Sequence, residues 1–178
     1  MVLPFANDVP ASIKPSFRHG IDSMSTSGHK MIGTPMPCGI LVSRREHVSR
    51  VASAVSYLRS DDTTLMGSRN GHAVLSIWHR LMRLDVTGFR ENAVACIERA
   101  ECLAEALRSA GVPVLLNPLS LTVVFPKPSE RLVTEYQLAC DGGLAHAIVM
   151  PNVKAGLIAR FTDAVVDEWH HNLKQQAF

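Results

Sequence analysis

Residues 21–39 read IDSMSTSGHKMIGTPMPCG, and this stretch holds the residues that best indicate both the fold and the chemistry. Three hydroxyl residues at 25–27 precede Gly28, His29 and Lys30. Hydroxyl and imidazole groups bind phosphate, and a glycine lets the backbone approach a ligand closely. A lysine amine that has lost its proton bonds to a carbonyl carbon. The pattern is compatible with a phosphate-bearing carbonyl compound at Lys30, and also with an ordinary solvated surface lysine.

The composition is typical of a globular chain of about one domain. The 178 residues are 47% hydrophobic and 19% charged, which excludes a disordered or low-complexity chain. Lys and Arg total 18 against 16 Asp and Glu, so the net charge is +2. Because the sequence has no basic excess and no polybasic run to contact backbone phosphates, we predict no nucleic-acid partner.

The start of the chain and the cysteines predict a cytoplasmic protein. Residues 1–5 lack a basic segment and include Pro4, which is unlike a secretory signal peptide. No run approaches the roughly 18 apolar residues that a membrane span needs, so we predict no membrane association. The cysteines form neither a CxxC pair nor a dense disulfide framework, and we expect free, mostly buried thiols. They are Cys38, Cys96, Cys102 and Cys140.

Hydrophobic periodicity along the rest of the chain predicts alternating strands and helices. Short β-branched runs predict a buried strand at 39–43 and further strands at 112–116, 121–125 and 144–150. Apolar residues at helical spacing predict helices at 44–58, 75–82, 87–110, 129–138 and 157–173. Thr87 is the expected N-cap of the longest helix. Helices on one face of a small sheet make an α/β sandwich, and the pattern changes near Gly71 from a fragmentary part to a compact one.

The 21–39 stretch closely resembles the cofactor-lysine segment of the group II pyridoxal-phosphate-dependent amino acid decarboxylases, in particular the bacterial histidine and plant-type serine decarboxylases. The resemblance continues through YLRSDDTTLMGSRNGH at 57–72, LTVVFPKPS at 121–129 and QLACDGGLAHAIVMPNV at 137–153. Other fold-type I enzymes share the lysine segment in outline, whereas the GSRNGH and C-terminal segments are more specific. The resemblance implies an α/β, fold-type I transferase-like architecture. Residues 1–70 would be a remnant of the cofactor-binding large domain, and residues 71–178 the C-terminal small domain.

The same resemblance implies roles for five residues. Lys30 matches the catalytic lysine that bonds to pyridoxal 5'-phosphate. Ser27 and His29 match residues near the cofactor phosphate, while Gly67 and Ser68 match residues that approach the cofactor of the partner subunit. We therefore expect a small amino acid substrate, pyridoxal phosphate as cofactor, no metal, and a homodimer or other homo-oligomer in the complete protein.

Family members are longer, and the unmatched part is N-terminal. In the family that part carries the aspartate that pairs with the pyridine nitrogen, the histidine that stacks on the ring, and most of the phosphate loop. We therefore expect this chain to be a C-terminal portion that does not decarboxylate by itself, whether it stems from a truncated gene, a mis-called start or a split enzyme. L-Histidine is the expected substrate, giving histamine and CO2, and L-serine is the main alternative.

Two further alternatives stay open. The chain is also compatible with a non-catalytic remnant that pairs with an intact homologue. Desulfuration, another fold-type I activity, is disfavoured because Cys38 follows the lysine in a Pro-rich turn.

Several other polar residues fit a structural role as readily as a functional one. Arg69 is suited to a phosphate, to a substrate carboxylate, or to a structural ion pair. Adjacent residues on a helix point in different directions, so the His170–His171 pair cannot chelate one metal well. The remaining candidates are His72, His79, His146 and the Asp61–Asp62 pair.

Overall fold

The computed structural model describes residues 16–56, 59–63 and 67–176. The chain alternates helices and antiparallel strands. In order these are β1 (Ser23–Ser27), β2 (Gly39–Ser43), α1 (Arg45–Val48), β3 (Ser53–Val55), β4 (Ser60–Asp62), α2 (Gly71–Ser109), β5 (Thr122–Pro126), α3 (Glu130–Tyr136), β6 (Ala139–Asp141), β7 (Leu144–Ile148) and α4 (Ala155–Gln176). Short helical turns also occur at Phe17–His19 and Gly28–Ile32.

The chain divides between Phe89 and Arg90 into two compact units. In the first unit β1 pairs with β2 as an antiparallel hairpin, and β3 pairs with β4. The predicted large-domain remnant at 1–70 includes residues 1–15, which lie outside the described part. The predicted division at residue 71 concerns the domains of the complete enzyme, and it stays a prediction.

The second unit is a three-stranded antiparallel sheet, in the order β5-β7-β6, packed with helices. Its core combines the apolar stripe of α2 with alternate residues of β5 and one face of α4. The stripe predicted from the sequence is buried as expected, at Phe89, Ala93, Ile97, Ala100, Leu103, Ala104 and Leu107. Phe125 and Phe161 meet with ring centroids 5.7 Å apart, and Tyr136 packs edge-on against Phe161 at 5.0 Å.

Several predicted elements differ from those in the structure. The helix expected at 44–58 is only the four-residue α1, and β3 follows it, because isolated valines do not by themselves favour a helix. The strand expected at 112–116 is reduced to a single bridge between Leu115 and Val124. The hydroxyl-rich β1 and the three-residue β6 were not predicted, since neither contains an apolar run.

Helix α2 contains a break at Asp85, where the backbone leaves helical geometry with a φ of 48°. The Asp85 carboxylate Oδ1 accepts hydrogen bonds from the backbone N–H groups of Thr87, at 2.7 Å, and Gly88, at 3.1 Å. These contacts are those of an N-cap. The N-cap of this second part of α2 is therefore Asp85. The prediction that Thr87 is the N-cap was wrong by two residues.

Removing the Asp85 cap should measurably destabilise the protein. Asp85→Ala is expected to lower the free energy of unfolding by about 1 kcal/mol, because two helical N–H groups lose their acceptor. Asp85→Asn, which retains a side-chain oxygen, should cost less. Thr87→Ala serves as the control, and urea unfolding followed by circular dichroism gives the comparison. Equal losses for Asp85→Ala and Thr87→Ala would contradict the assignment of the cap.

The thiols are less buried than the sequence suggested. Cys96 is buried, and desolvation raises the pKa of its thiol despite the opposing charges of Arg99 and Lys154. Cys38 is half-buried, whereas Cys102 and Cys140 are exposed, so the expectation of mostly buried thiols was wrong for these last two. All four thiols are free.

Among the described helices, none combines the length and the apolar character that crossing a membrane would require.

Candidate functional site

Lys30 lies on the loop that joins the two strands of the β1–β2 hairpin. The antiparallel register runs from Ser23 opposite Ser43 to Ser27 opposite Gly39, so residues 28–38 form the connection. The connection begins with the turn Gly28–Ile32 and passes through Gly33, whose φ of 79° is left-handed. A hairpin built this way fixes both ends of the lysine-bearing segment.

Gly28 stands at the narrowest point of this loop. Its N–H donates to the Cys38 carbonyl at 2.9 Å, and its own carbonyl accepts from the Thr34 N–H at 3.0 Å. A Cβ added at Gly28 would lie 2.4 Å from the Cys38 Sγ, which is closer than non-bonded atoms approach. The glycine is therefore required for close packing inside the loop. The sequence had suggested instead that it lets a ligand approach.

Thr34 and Cys38 brace the loop from the inside. The buried Thr34 hydroxyl donates to the Met36 carbonyl at 3.0 Å, and its oxygen lies 3.2 Å from the Cys38 Sγ. Because the single hydroxyl proton is used by Met36, the thiol is the donor in the second contact. The sequence analysis did not predict these contacts of Thr34 and Cys38. It did not predict β1, and the register between β1 and β2 is what brings residue 38 close to residue 28.

Lys30 is exposed between a buried glycine and two buried apolar residues, Met31 and Ile32. Its backbone departs from the helical turn, with φ −96° and ψ −110°. Among the described residues, the Lys30 amine has no hydrogen-bond or ion-pair partner. Burial of its two neighbours fixes the backbone, while the amine itself stays accessible.

His29 and Ser27 lie beside the lysine, as the sequence predicted. The His29 ring is held by a hydrogen bond, whereas the Ser27 hydroxyl has none to a described group. The Cys38 backbone N–H donates to His29 Nδ1 at 3.2 Å. A neutral ring whose Nδ1 accepts carries its proton on Nε2. The half-buried Ser27 ends β1, and no described group receives or donates a hydrogen bond at its side chain.

Gly67 and Ser68 are exposed and lie just before the start of α2. No hydrogen bond within the described part of the chain joins them to the Lys30 loop. The structure thus brings Ser27, His29 and Lys30 together, and leaves the two predicted partner-subunit residues on a separate segment.

Comparison with known proteins finds similarity to amino acid decarboxylases. The chain is 43% identical over 169 residues to serine decarboxylase 1 of Oryza sativa subsp. japonica, covering 94% of this chain and 34% of the relative. It is 40% identical over 168 residues to histidine decarboxylase of Acinetobacter baumannii (strain AYE), covering 94% and 42%. No family model matches the sequence.

The fold is likewise similar to that of a solved amino acid decarboxylase. L-methionine decarboxylase from Streptomyces sp. 590 superposes with a TM-score of 0.73 and 29% identity, over 83% of this chain and 32% of that chain. The predicted resemblance to the group II pyridoxal-phosphate-dependent amino acid decarboxylases is confirmed over 94% of this chain. The predicted fold class, α/β and fold-type I, is confirmed. The chain spans between about a third and two-fifths of the length of these relatives.

Arg69 has a structural partner. Its guanidinium Nη1 donates to both carboxylate oxygens of Asp62, at 3.2 and 3.1 Å, and the Asp62 side chain is only 14% exposed. The pair joins β4 to the segment before α2. Of the three roles weighed for Arg69, the structure contains the ion pair, and it gives Asp62 the same role.

The remaining histidines do not converge. His72 and His79 are exposed on α2, and His146 is half-buried in β7. A ring nitrogen of His170 lies 3.0 Å from the Ala110 carbonyl oxygen, and His171 contacts Gln175, so these neighbours point to different partners. The described residues contain no group of three or more His, Cys, Asp or Glu side chains arranged to hold a metal ion.

Proposed function

We propose that this chain supplies the lysine-bearing part of an amino acid decarboxylase that uses pyridoxal phosphate. The observation that carries the proposal is the Lys30 amine. It is exposed and unpaired among the described residues, on a loop whose two ends are fixed by the β1–β2 hairpin. The relatives with 40–43% identity, named for histidine and serine decarboxylation, support the same assignment.

The groups around Lys30 fit an aldehyde that also carries a phosphate. A primary amine bonds to the aldehyde carbon, and hydroxyl and imidazole N–H groups are suited to phosphate oxygens. Ser27 offers the hydroxyl. His29 offers Nε2–H, because its Nδ1 is already occupied by the Cys38 N–H. These three residues would hold the cofactor from this chain's side of the site.

Pyridoxal phosphate, when bound, supplies a conjugated ring that accepts the electron pair left on the α-carbon as CO2 departs. Lys30 Nζ must give up a proton before it bonds a carbonyl carbon. In a complete site, Nζ would also be the group from this chain placed to hold or move a proton beside the substrate. Ser27 Oγ and His29 Nε2 orient the phosphate.

We further propose that the complete protein is a cytoplasmic homodimer in which Gly67 and Ser68 reach the partner's cofactor. Their exposure on a segment separate from Lys30 is compatible with a role across an interface. The five residues then form composite sites, each with Lys30, Ser27 and His29 from one subunit and Gly67 and Ser68 from the other.

Ser68→Ala should weaken cofactor retention by about tenfold, because a hydrogen bond to a charged group contributes roughly 1.5 kcal/mol or more. The test uses a dimeric polypeptide that contains this sequence. Mixing a Ser68→Ala subunit with a Lys30→Ala subunit should restore activity, since both changes fall in one composite site and the other stays intact. If heterodimers form and remain inactive, the route across the interface is wrong.

L-Histidine is the proposed substrate, with histamine and CO2 as products. L-Serine is the second candidate, because the rice serine decarboxylase is slightly more similar than the bacterial histidine decarboxylase, at 43% against 40% identity. The relatives have more than half of their length outside the matched region. We therefore propose that the catalytic protein includes groups beyond this chain.

The experiment measures CO2 released from carboxyl-labelled L-histidine and L-serine with excess pyridoxal phosphate. Three proteins are compared. The first is a polypeptide as long as the relatives that contains this sequence as its C-terminal portion, the second is its Lys30→Ala variant, and the third is the 178-residue chain. We expect lysine-dependent release from histidine by the longer protein and none from the shorter one. Preferential release from serine would make the second candidate correct. No lysine-dependent release from either substrate would overturn the proposal.

A further inference from the structure

The segment that follows Lys30 is tied to helix α2 by one arginine. The Arg80 guanidinium Nε donates to the Ile32 carbonyl at 2.7 Å, across 48 positions of sequence. Arg80 is half-buried and Ile32 is 1% exposed. A charged donor at this distance from a carbonyl makes one of the stronger hydrogen bonds available to a protein.

The arginine also lies against Gly33. A Cβ added there would be 3.2 Å from Arg80 Nη2, so the guanidinium contacts the left-handed turn as well as the carbonyl before it. The loop is therefore held on both sides of the lysine. His29 and Gly28 bond to Cys38 on one side, and Ile32 bonds to Arg80 on the other.

We propose that Arg80 is a positioning residue for Lys30. By fixing the Ile32 carbonyl two residues away, its guanidinium restricts the backbone at Lys30 and so limits the directions in which the amine can reach. The inference rests on the proposed function, because positioning matters only if Lys30 bonds a cofactor. It assigns Arg80 no contact with substrate or cofactor.

An arginine suits this task better than other donors. Its charge persists at every physiological pH, and its planar fork loses less side-chain freedom for each hydrogen bond than a lysine ammonium does. A methionine has similar length without any donor, so it separates packing from hydrogen bonding. Arg83, exposed three positions further along α2, provides a matched control with no hydrogen bond to a described residue.

The test compares Arg80→Met, Arg80→Lys and Arg83→Met with the unaltered chain. Amide hydrogen exchange at 28–38 reports how firmly the loop is held, with or without cofactor. Borohydride reduction with pyridoxal phosphate, followed by peptide mass spectrometry, reports the rate of labelling at Lys30. Circular dichroism shows whether each variant keeps its helices.

We expect Arg80→Met to speed exchange at 28–38 and slow Lys30 labelling, each by about tenfold or more, the scale of losing a hydrogen bond from a charged donor, roughly 1.5 kcal/mol. Arg80→Lys should recover part of both effects, and Arg83→Met should change neither. Unchanged exchange in Arg80→Met would overturn the inference, as would faster exchange with unchanged labelling. If unaltered Lys30 takes no label, the proposed function fails, and the exchange comparison still decides whether Arg80 holds the loop.

Discussion

Replacing Lys30 with alanine is expected to abolish the covalent attachment of pyridoxal phosphate to this chain. The amine is the nucleophile, and an alanine offers no atom that bonds an aldehyde. Lys30→Arg should fail as well, because a guanidinium stays protonated and does not act as a nucleophile near neutral pH. The measurement is borohydride reduction in the presence of pyridoxal phosphate, followed by digestion and mass spectrometry. No adduct is expected at residue 30 in either variant, because neither side chain offers a reactive amine.

Lysines elsewhere in the chain provide the control for this experiment. Lys174 lies exposed in the last turn of α4, and Lys127 pairs with Glu130 at 2.6 Å. Lys174→Ala should leave the yield of adduct unchanged. An adduct found mainly on Lys174 or Lys127, or one that survives Lys30→Ala in full, would mean that exposure alone governs the reaction. The site assignment would then be wrong.

The hydroxyl-rich hairpin shows where sequence reasoning succeeded and where it stopped. The sequence identified Ser27, His29 and Lys30 as one local group, and the structure places Ser27 at the end of β1 and His29 and Lys30 in the turn that follows it. It did not predict that β1 is a strand, because Ser23–Ser27 contains a single apolar residue. The order of residues along the chain was sufficient to identify this local group. The contacts across the loop depend on the register between β1 and β2, which the sequence pattern did not reveal.

Periodicity likewise identifies which residues share a face without showing whether that face is covered. The stripe predicted at the start of α2 exists, yet Leu75, Trp78 and Met82 are 64%, 60% and 68% exposed. Strand β2 was predicted to be buried, yet Leu41 is 71% exposed, and among the described residues β2 pairs with β1 alone. The stripe after Phe89 has the same spacing and is buried because the second unit supplies a sheet and a helix to cover it.

The contacts that brace the site depend on long-range geometry that no pattern encodes. Arg80 reaches Ile32 across 48 positions, and helical periodicity alone places an arginine there as a solvated residue. The cap at Asp85 has a local signal that was overlooked, since aspartate is as good an N-cap as the threonine two positions later. Propensity alone did not reveal the break in α2.

Substituting Gly28 with alanine is expected to disrupt the loop that carries Lys30. The new Cβ would lie 2.4 Å from the Cys38 Sγ and 3.4 Å from the Thr34 Oγ1. Because the thiol is itself hydrogen-bonded to Thr34, moving it breaks a contact that holds the loop. Overpacking of this kind costs about 1–3 kcal/mol. We expect a loss of that size in urea unfolding, together with faster amide exchange at 28–38. Gly39→Ala is the matched control, because a Cβ there meets nothing within 4 Å.

A double-mutant cycle identifies the contact responsible. Cys38→Ala removes the Sγ that the new Cβ would strike, so Gly28→Ala should cost much less in that background than in the unaltered chain. A coupling of about 1 kcal/mol or more between the two positions is expected for residues in direct contact. Lys30 labelling should follow the same order, falling in Gly28→Ala and recovering in the double variant. Additive effects would show that Gly28 is needed for some reason other than its approach to Cys38. The loop around Lys30 would then have to be held by its backbone hydrogen bonds and by Arg80 alone.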